Sequence, residues 1–196
     1  IVASDPTTGH TRVVVREQQP AWQNNLPLML FLEDGKRFIW ETERTGWKQY
    51  ELRHLNGSRL GSLSNLKGKP VTSIVKVDEK AGWLYFTARS GGSPLNDHLH
   101  RVRLDGTDHT RLTRNALHYS SFQISSDHKW FVARREAIGV PPAMALFDTE
   151  SNEVAVLAYQ SKKDKKKSAE LGLAKPELFA CKAVDGKTIL YGTLYK

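Results

Sequence analysis

One unit returns four times along this chain: an Asp-led turn that runs into a hydrophobic strand. It appears as Asp34-Gly35-Lys36-Arg37-Phe38-Ile39-Trp40, then as Asp78-Glu79-Lys80 leading to Trp83-Leu84-Tyr85-Phe86. It returns as Asp127-His128-Lys129-Trp130-Phe131-Val132 and as Asp185-Gly186-Lys187-Thr188-Ile189-Leu190-Tyr191. The spacings are 44, 49 and 58 residues. A second unit interleaves with it: a strand, an acidic or Asn/Gly turn, and another strand. Asn56-Gly57 and Asp105-Gly106 are two such turns. A β-rich repeat of roughly 40–50 residues is the signature of propeller blades, each of which buries its faces only against its neighbours.

Read in this frame, the chain is all-β, a partial β-propeller of about three and a half four-stranded antiparallel blades. Apolar residues at helical spacing are nearly absent, whereas β-branched and aromatic runs between Gly, Asn and Asp turns dominate. Residues 1–20 read as the end of a preceding blade. Residues 21–68 form a blade with strands near 28–32, 37–41, 49–54 and 59–63. Residues 69–115 repeat the layout at 71–77, 83–88, 98–104 and 110–113. Residues 116–160 do so at 121–124, 130–134, 143–147 and 154–158. The stretch 161–196 holds a Lys-rich loop, with a long loop or a short helix at 168–173, and then a strand pair at 178–183 and 187–191. Neither end reads as a natural terminus, so the chain is expected to be a segment of a longer protein. Its first and last blades should present open faces, through which it would pair with itself or with missing blades.

The charge balance narrows the function. Lys plus Arg exceed Asp plus Glu, 29 against 21, for a net charge of +8. Much of the excess lies in Lys162-Lys163-Asp164-Lys165-Lys166-Lys167, which has no interleaved aromatics for base stacking and reads as a solvated loop. No nucleic-acid partner is expected. The longest apolar run, around Leu26 to Leu32 and broken by Pro27, is too short to span a bilayer. The single cysteine, Cys181, excludes an internal disulfide and a cysteine metal cluster, and its apolar strand setting reads as a buried inert thiol. Neither a cofactor nor a metal site is expected.

Several constellations invite chemistry and read better as structure. His98 and His100 share one strand face, but further metal ligands have no evident source, so packing or exposure is expected. Ser125-Ser126-Asp127-His128 holds triad residue types in a row, whereas a triad converges in space; a turn with Asp127 bonding local backbone is the better account. Ser64 and Lys67 have Ser-x-x-Lys spacing and little weight. Glu41, Glu43 and Arg44 read as a surface ion-pair cluster. Trp40, Trp47, Trp83 and Trp130 read as blade core.

The order of motifs is more specific than any one of them. Phe38-Ile39-Trp40-Glu41-Thr42-Glu43-Arg44-Thr45-Gly46-Trp47 resembles the "FLW-SERDGW" stretch of bacterial dipeptidyl peptidase IV-like proteins. The resemblance continues through Val77-Asp78-Glu79-Lys80-Ala81-Gly82-Trp83-Leu84-Tyr85-Phe86, His98-Leu99-His100-Arg101-Val102-Arg103-Leu104-Asp105-Gly106-Thr107, His118-Tyr119-Ser120-Ser121-Phe122 and Pro141-Pro142. It spans about residues 20–196. His100 stands where the family pattern "LYRV" has Tyr, and His128 where "SPDGK" has Gly.

The resemblance implies a parent in the prolyl oligopeptidase family of serine peptidases, with an N-terminal propeller and a C-terminal α/β-hydrolase domain in cis. It also implies a peptide substrate that the propeller gates and positions, and a bridge at 175–196 into the catalytic domain. A periplasmic or extracellular site is in keeping with it, though the sequence leaves the compartment open. The hydrolase nucleophile needs a Gly-x-Ser-x-Gly elbow; Gly91-Gly92-Ser93-Pro94-Leu95 fails at its last position, so no catalytic residue is expected here. The family's Glu-Glu grip on the substrate amine is also absent. The substrate-facing candidates are Trp22 and Gln23, in the polar connection that enters the first full blade. Trp22 offers large contact area at small entropy cost, and packing between blades competes as its role. The alternative for the whole chain is a non-catalytic propeller module that binds a protein or ligand.

Overall fold

An Asp side chain at the first position of a tight turn accepts the N–H of the residues that follow, which fixes the turn and sends the chain back antiparallel. A computed structural model of the chain, describing residues 1–159, 166–167, 170–172 and 176–195, contains this device throughout. Asp34 accepts the N–H groups of Lys36 (2.8 Å) and Arg37 (3.1 Å), and Asp185 those of Lys187 (2.9 Å) and Thr188 (2.8 Å). Asp127 accepts the Lys129 N–H at 3.1 Å and the Ser125 hydroxyl at 2.7 Å. The stretch Ser125 to His128 is thus a turn, as its sequence reads.

These hydrogen bonds hold six turn carboxyls below the usual carboxylate range. Asp5 and Asp34 are lowered chiefly by the backbone N–H of Thr7 and Lys36. Asp105, Asp127, Asp148 and Asp185 are lowered chiefly by the side chains of Thr107, Ser125, Asn152 and Thr188.

Between the turns lie sixteen strands among the described residues. β1 (Val2–Ser4) pairs with β2 (Thr11–Val13). A four-stranded meander follows: β3 (Met29–Phe31), β4 (Arg37–Thr42), β5 (Gln49–His54) and β6 (Arg59–Ser62). A second meander holds β7 (Val71–Asp78), β8 (Trp83–Ala88), β9 (His98–Arg103) and β10 (Thr110–Arg111). A third holds β11 (His118–Ile124), β12 (Trp130–Ala137), β13 (Val140–Asp148) and β14 (Glu153–Tyr159). β15 (Glu177–Lys182) and β16 (Ile189–Leu194) form a last hairpin. Every pairing is antiparallel and joins sequence neighbours. The fold is all-β, a partial β-propeller of four-stranded blades. The expected helix at 168–173 falls largely outside the described residues.

The chain divides into two compact units, Ile1–Asn115 and Ala116–Lys196. In the first, one apolar cluster draws Ile39, Tyr50 and Leu52 from the first meander and Leu84, Phe86 and Val102 from the second, all at most 4% exposed. Burying such side chains contributes about 1.5–3 kcal/mol each. The opposite face of β4 carries Phe38 and Trp40, covered by Val14 and Val15. That segment crosses so close to the β5–β6 turn that a Cβ on Gly57, which has φ of 94°, would collide with the Val14 carbonyl oxygen. Glycine is required there both by conformation and by space. In the second unit Phe131 stacks on Phe147 with centroids 5.1 Å apart, and Tyr119 meets Phe147 edge-on.

Three expectations need correction. Cys181 is exposed rather than buried, because β15 and β16 make a hairpin whose β15 strand is exposed throughout. Trp47 is 47% and Trp130 40% exposed. Trp47 lies in the turn between β4 and β5, and Trp130 is the first residue of β12, so neither reaches the middle of a sheet. Only Trp40 is fully buried; Trp83 is half-buried under two guanidiniums, Arg101 at 4.8 Å and Arg103 at 3.8 Å from its ring centre. The Glu41–Glu43–Arg44 cluster does not exist as read: β4 ends at Thr42, Glu41 is buried and pairs with Lys48 at 3.1 Å, and Arg44 reaches Glu51.

Candidate functional site

Alternation along β5 puts Gln49, Glu51 and Arg53 on one face and Tyr50 and Leu52 on the other. The apolar pair enters the core, yet the polar face is buried too. Glu51, 2% exposed, is the centre of this face. Its Oε1 accepts from Arg53 Nε at 2.7 Å and Nη2 at 2.5 Å. Its Oε2 accepts from Arg44 Nη2 and Arg59 Nε, both at 2.7 Å. Register explains the convergence. Arg59 lies opposite Arg53 across β5 and β6, a like-charged pair that would repel without an anion between them. Arg44 arrives from the β4–β5 turn. Ser64, with no exposure, donates to Gln49 Oε1 (3.0 Å) and accepts the Tyr50 N–H (2.7 Å), so the Ser64/Lys67 spacing serves structure.

Above this network opens a cleft of about 360 Å³. Arg44 and Arg59 reach it with side chains 49% and 48% exposed, beside Trp47, Leu66 and Lys67.

The sequence-predicted candidates lie elsewhere in the same unit. Trp22 is 86% exposed, standing free of the core. Gln23 is half-buried, and its Nε2 donates to the Glu17 carbonyl at 3.5 Å. The connection is held by Glu43, which accepts the Asn24 N–H at 3.2 Å, and by Glu17, which accepts from Trp40 Nε1 (3.1 Å) and the Thr42 hydroxyl (2.5 Å). Trp22 and the 87%-exposed Leu26 thus project from a connection pinned by carboxylates.

A second polar group lies in the next sheet. His98 and His100 are both buried. His98 Nδ1 contacts the Thr113 carbonyl at 3.0 Å and its hydroxyl at 3.1 Å. His100 Nε2 lies 2.6 Å from Ser90 Oγ, and its Nδ1 lies 3.0 Å from His109 Nε2. Phe86, His100 and His109 stack face to face. The connectivity is Ser–His–His, which invites comparison with a nucleophile and its base. Burial, with His109, His98, Arg111 and Lys69 nearby, pushes His100 down to about 3, so it is a poor proton acceptor at neutral pH. Ser90 is also buried. The group is a structural stack. Among the described residues no group of three or more His, Cys, Asp or Glu is placed to hold a metal ion.

Sequence reasoning missed the Glu51 network and the contribution of His109. Glu51 and Arg53 two apart on a strand, with Arg59 beyond an Asn-Gly turn, were a usable signal once register was known. His109 sits one residue before β10, whose Arg111 pairs with His100, so the hairpin returns it beside His100.

Four-stranded antiparallel meanders, repeated along the chain and stapled by Asp-led turns, define a β-propeller segment. The chain belongs to the family described as the dipeptidyl peptidase IV (DPP IV) N-terminal region, whose model matches residues 1–142. Among solved structures it is similar to dipeptidyl peptidase 4 of Porphyromonas gingivalis, with a TM-score of 0.75 and 14% sequence identity. That likeness covers 100% of this chain and 27% of the other. At this identity it speaks for the fold alone.

Proposed function

We propose that this chain is a propeller segment of a serine-type dipeptidyl peptidase, and that it gates and positions peptide substrate for an α/β-hydrolase domain in cis. The observation that carries the reading is the family match over residues 1–142, joined to the blade-like meanders. In this reading residues 1–20 close a preceding blade, 21–68, 69–115 and 116–160 are blades, and 161–196 bridges to the catalytic domain. The four-stranded sheets support that division. Trp22 and Gln23 face the substrate, a role that the exposure of Trp22 supports. The sequence contains no Gly-x-Ser-x-Gly elbow, so the segment is inactive alone. Its exposed apolar side chains, Leu157 and Tyr159 on β14 among them, favour self-association.

The test is a dipeptidyl-chromogen assay on the full-length product of the natural gene, beside the 196-residue chain. Turnover by the former, abolished by a serine-directed inhibitor and absent from the latter, is the expected result. In the full-length protein Trp22→Ala should raise KM about tenfold with little change in kcat, as loss of uniform binding does. A well-folded full-length protein without turnover on Xaa-Pro and Xaa-Ala substrates would overturn the peptidase reading in favour of a binding module.

A further inference from the structure

We propose that the cleft over Glu51 is a binding site for an acidic peptide, taking a side-chain carboxylate on Arg44 and Arg59 with an adjoining apolar residue against Trp47 and Leu66. The proposal does not rest on the peptidase reading, and a binding module could equally carry it.

The charge count comes first. Three guanidiniums meet one carboxylate, and Glu51 neutralises only one of them. Arg53 is committed to the interior: it gives Nε and Nη2 to Glu51 and Nη1 to the Gly57 carbonyl at 2.7 Å. Arg44 and Arg59 are different. A guanidinium carries five N–H donors. Among the described residues each of these two spends one of them on Glu51 Oε2, and the rest of each head lies in the half-exposed wall of the cleft. Glu51 therefore acts as an anchor that holds two forks side by side, with surplus positive charge facing outward. Lys67, exposed on the rim, adds to it.

Shape and lining then choose among anions. A volume of about 360 Å³ is within the range of small-ligand pockets. Arginine forks match planar carboxylates with paired N–H donors. The remaining wall is apolar where Trp47 and Leu66 stand, a surface that a bare inorganic anion would leave unused. A carboxylate next to an aliphatic side chain uses both halves. Arg44 and Arg59 also lie on separate connections, the β4–β5 turn and the start of β6, so the site is built by the fold rather than by one run of basic residues.

The experiment is calorimetric titration of the 196-residue chain with the acetylated, amidated peptide Leu-Glu-Leu-Glu and its Leu-Gln-Leu-Gln analogue. The acidic peptide is expected to bind with a Kd of about 100 µM, and the Gln analogue at least about tenfold more weakly. Arg44→Gln and Arg59→Gln, each of which leaves Arg53 on Glu51, should each weaken binding about tenfold, and Arg44→Lys less than Arg44→Gln. Trp47→Ala keeps every charge and should weaken the Leu-Glu peptide several-fold. Urea midpoints near that of the parent chain verify that the variants fold. Equal binding of both peptides, or unchanged affinity in the Arg44→Gln, Arg59→Gln double variant, would overturn the proposal. So would inorganic phosphate displacing the peptide at lower concentration than the peptide's own Kd, which would make this a phosphate site.

Discussion

Acid should destabilise the first unit well before its carboxylates begin to titrate, and His100 should be the cause. The ring is 2% exposed, stacked on Phe86 and hydrogen-bonded to Ser90 and His109. Its folded-state pKa of about 3 lies far below the ordinary value of 6.5, first through burial and then through the charge of His109, His98, Arg111 and Lys69. Above pH 6.5 the ring is neutral whether the chain is folded or not, and the stability it supports is complete. As pH falls below 6.5 the unfolded chain takes up a proton that the folded chain refuses, so stability declines until about pH 3. Each pH unit within that window costs about 1.4 kcal/mol, so passing from pH 7 to pH 4.5 removes about 3 kcal/mol. The six lowered turn carboxyls act in the other part of the scale, losing their contribution below about pH 4. His109, stacked on His100 and likewise lowered by burial, adds to the loss in the interval from 6.5 to 4.5. That interval therefore reports the stacked histidines, and the His100→Tyr comparison assigns the share of His100.

The assay is urea unfolding followed by tryptophan fluorescence at pH 7.0 and 4.5, on the parent chain and on His100→Tyr. Tyr is the residue of the family pattern at this position and does not titrate in the window. With a denaturant slope of about 1–3 kcal/mol/M, the parent midpoint should fall by about 1–3 M on acidification, and that of His100→Tyr by much less. A parent chain as stable at pH 4.5 as at pH 7, or a variant that loses as much as the parent, would refute the reasoning.

Three further outcomes follow from the same structure. Glu51→Gln removes the anion from between three arginines and should cost about 3–5 kcal/mol, whereas Arg44→Gln, half-exposed, should cost less than about 1 kcal/mol; both read as urea midpoints at pH 7. Gly57→Ala should cost more than about 2 kcal/mol, since the collision with the Val14 carbonyl adds to strain at a positive φ, and thermal unfolding measures it. His128→Gly should raise stability by up to about 1 kcal/mol, because His128 holds φ of 58° in the β11–β12 turn, and equal or lower stability would contradict that strain.

The fold was legible because its grammar is local. Asp34, Asp127 and Asp185 each fix a turn through neighbours two or three residues away, and the apolar alternation beside them sets the strands. Strand limits slipped where pairing ran past the hydrophobic run. β13 begins at Val140, so Pro141 and Pro142 lie inside it, because the register with β12 carries on to Ala137 opposite Val140. The cleft was not legible, since it depends on which polar residues of β5 and β6 face the same side and on a turn that folds Arg44 back toward them. Arg53 and Arg59 are six positions apart in sequence but direct partners across the sheet only because a bulge shifts the register between Leu52 and Arg53.

The third strand of each meander shows how one scaffold makes different uses of one position. In β13 the buried residues of one face are Ala143, Ala145 and Phe147, and the strand is plain core. In β9 they are His98 and His100, whose partners are a threonine, a serine and a third histidine; the group is closed over by stacking, and burial favours the neutral form of His100 and His109. In β5 they are Gln49, Glu51 and Arg53, where the polar face is charged and its hydrogen bonding is not confined to the interior. Buried polar groups are stable only when satisfied, and a neutral set can close on itself. Three cations on one anion cannot reach neutrality among themselves, so two of them stay at the surface where water or a ligand anion completes the balance. The same requirement that keeps Arg44 and Arg59 half-exposed is what leaves them available to bind.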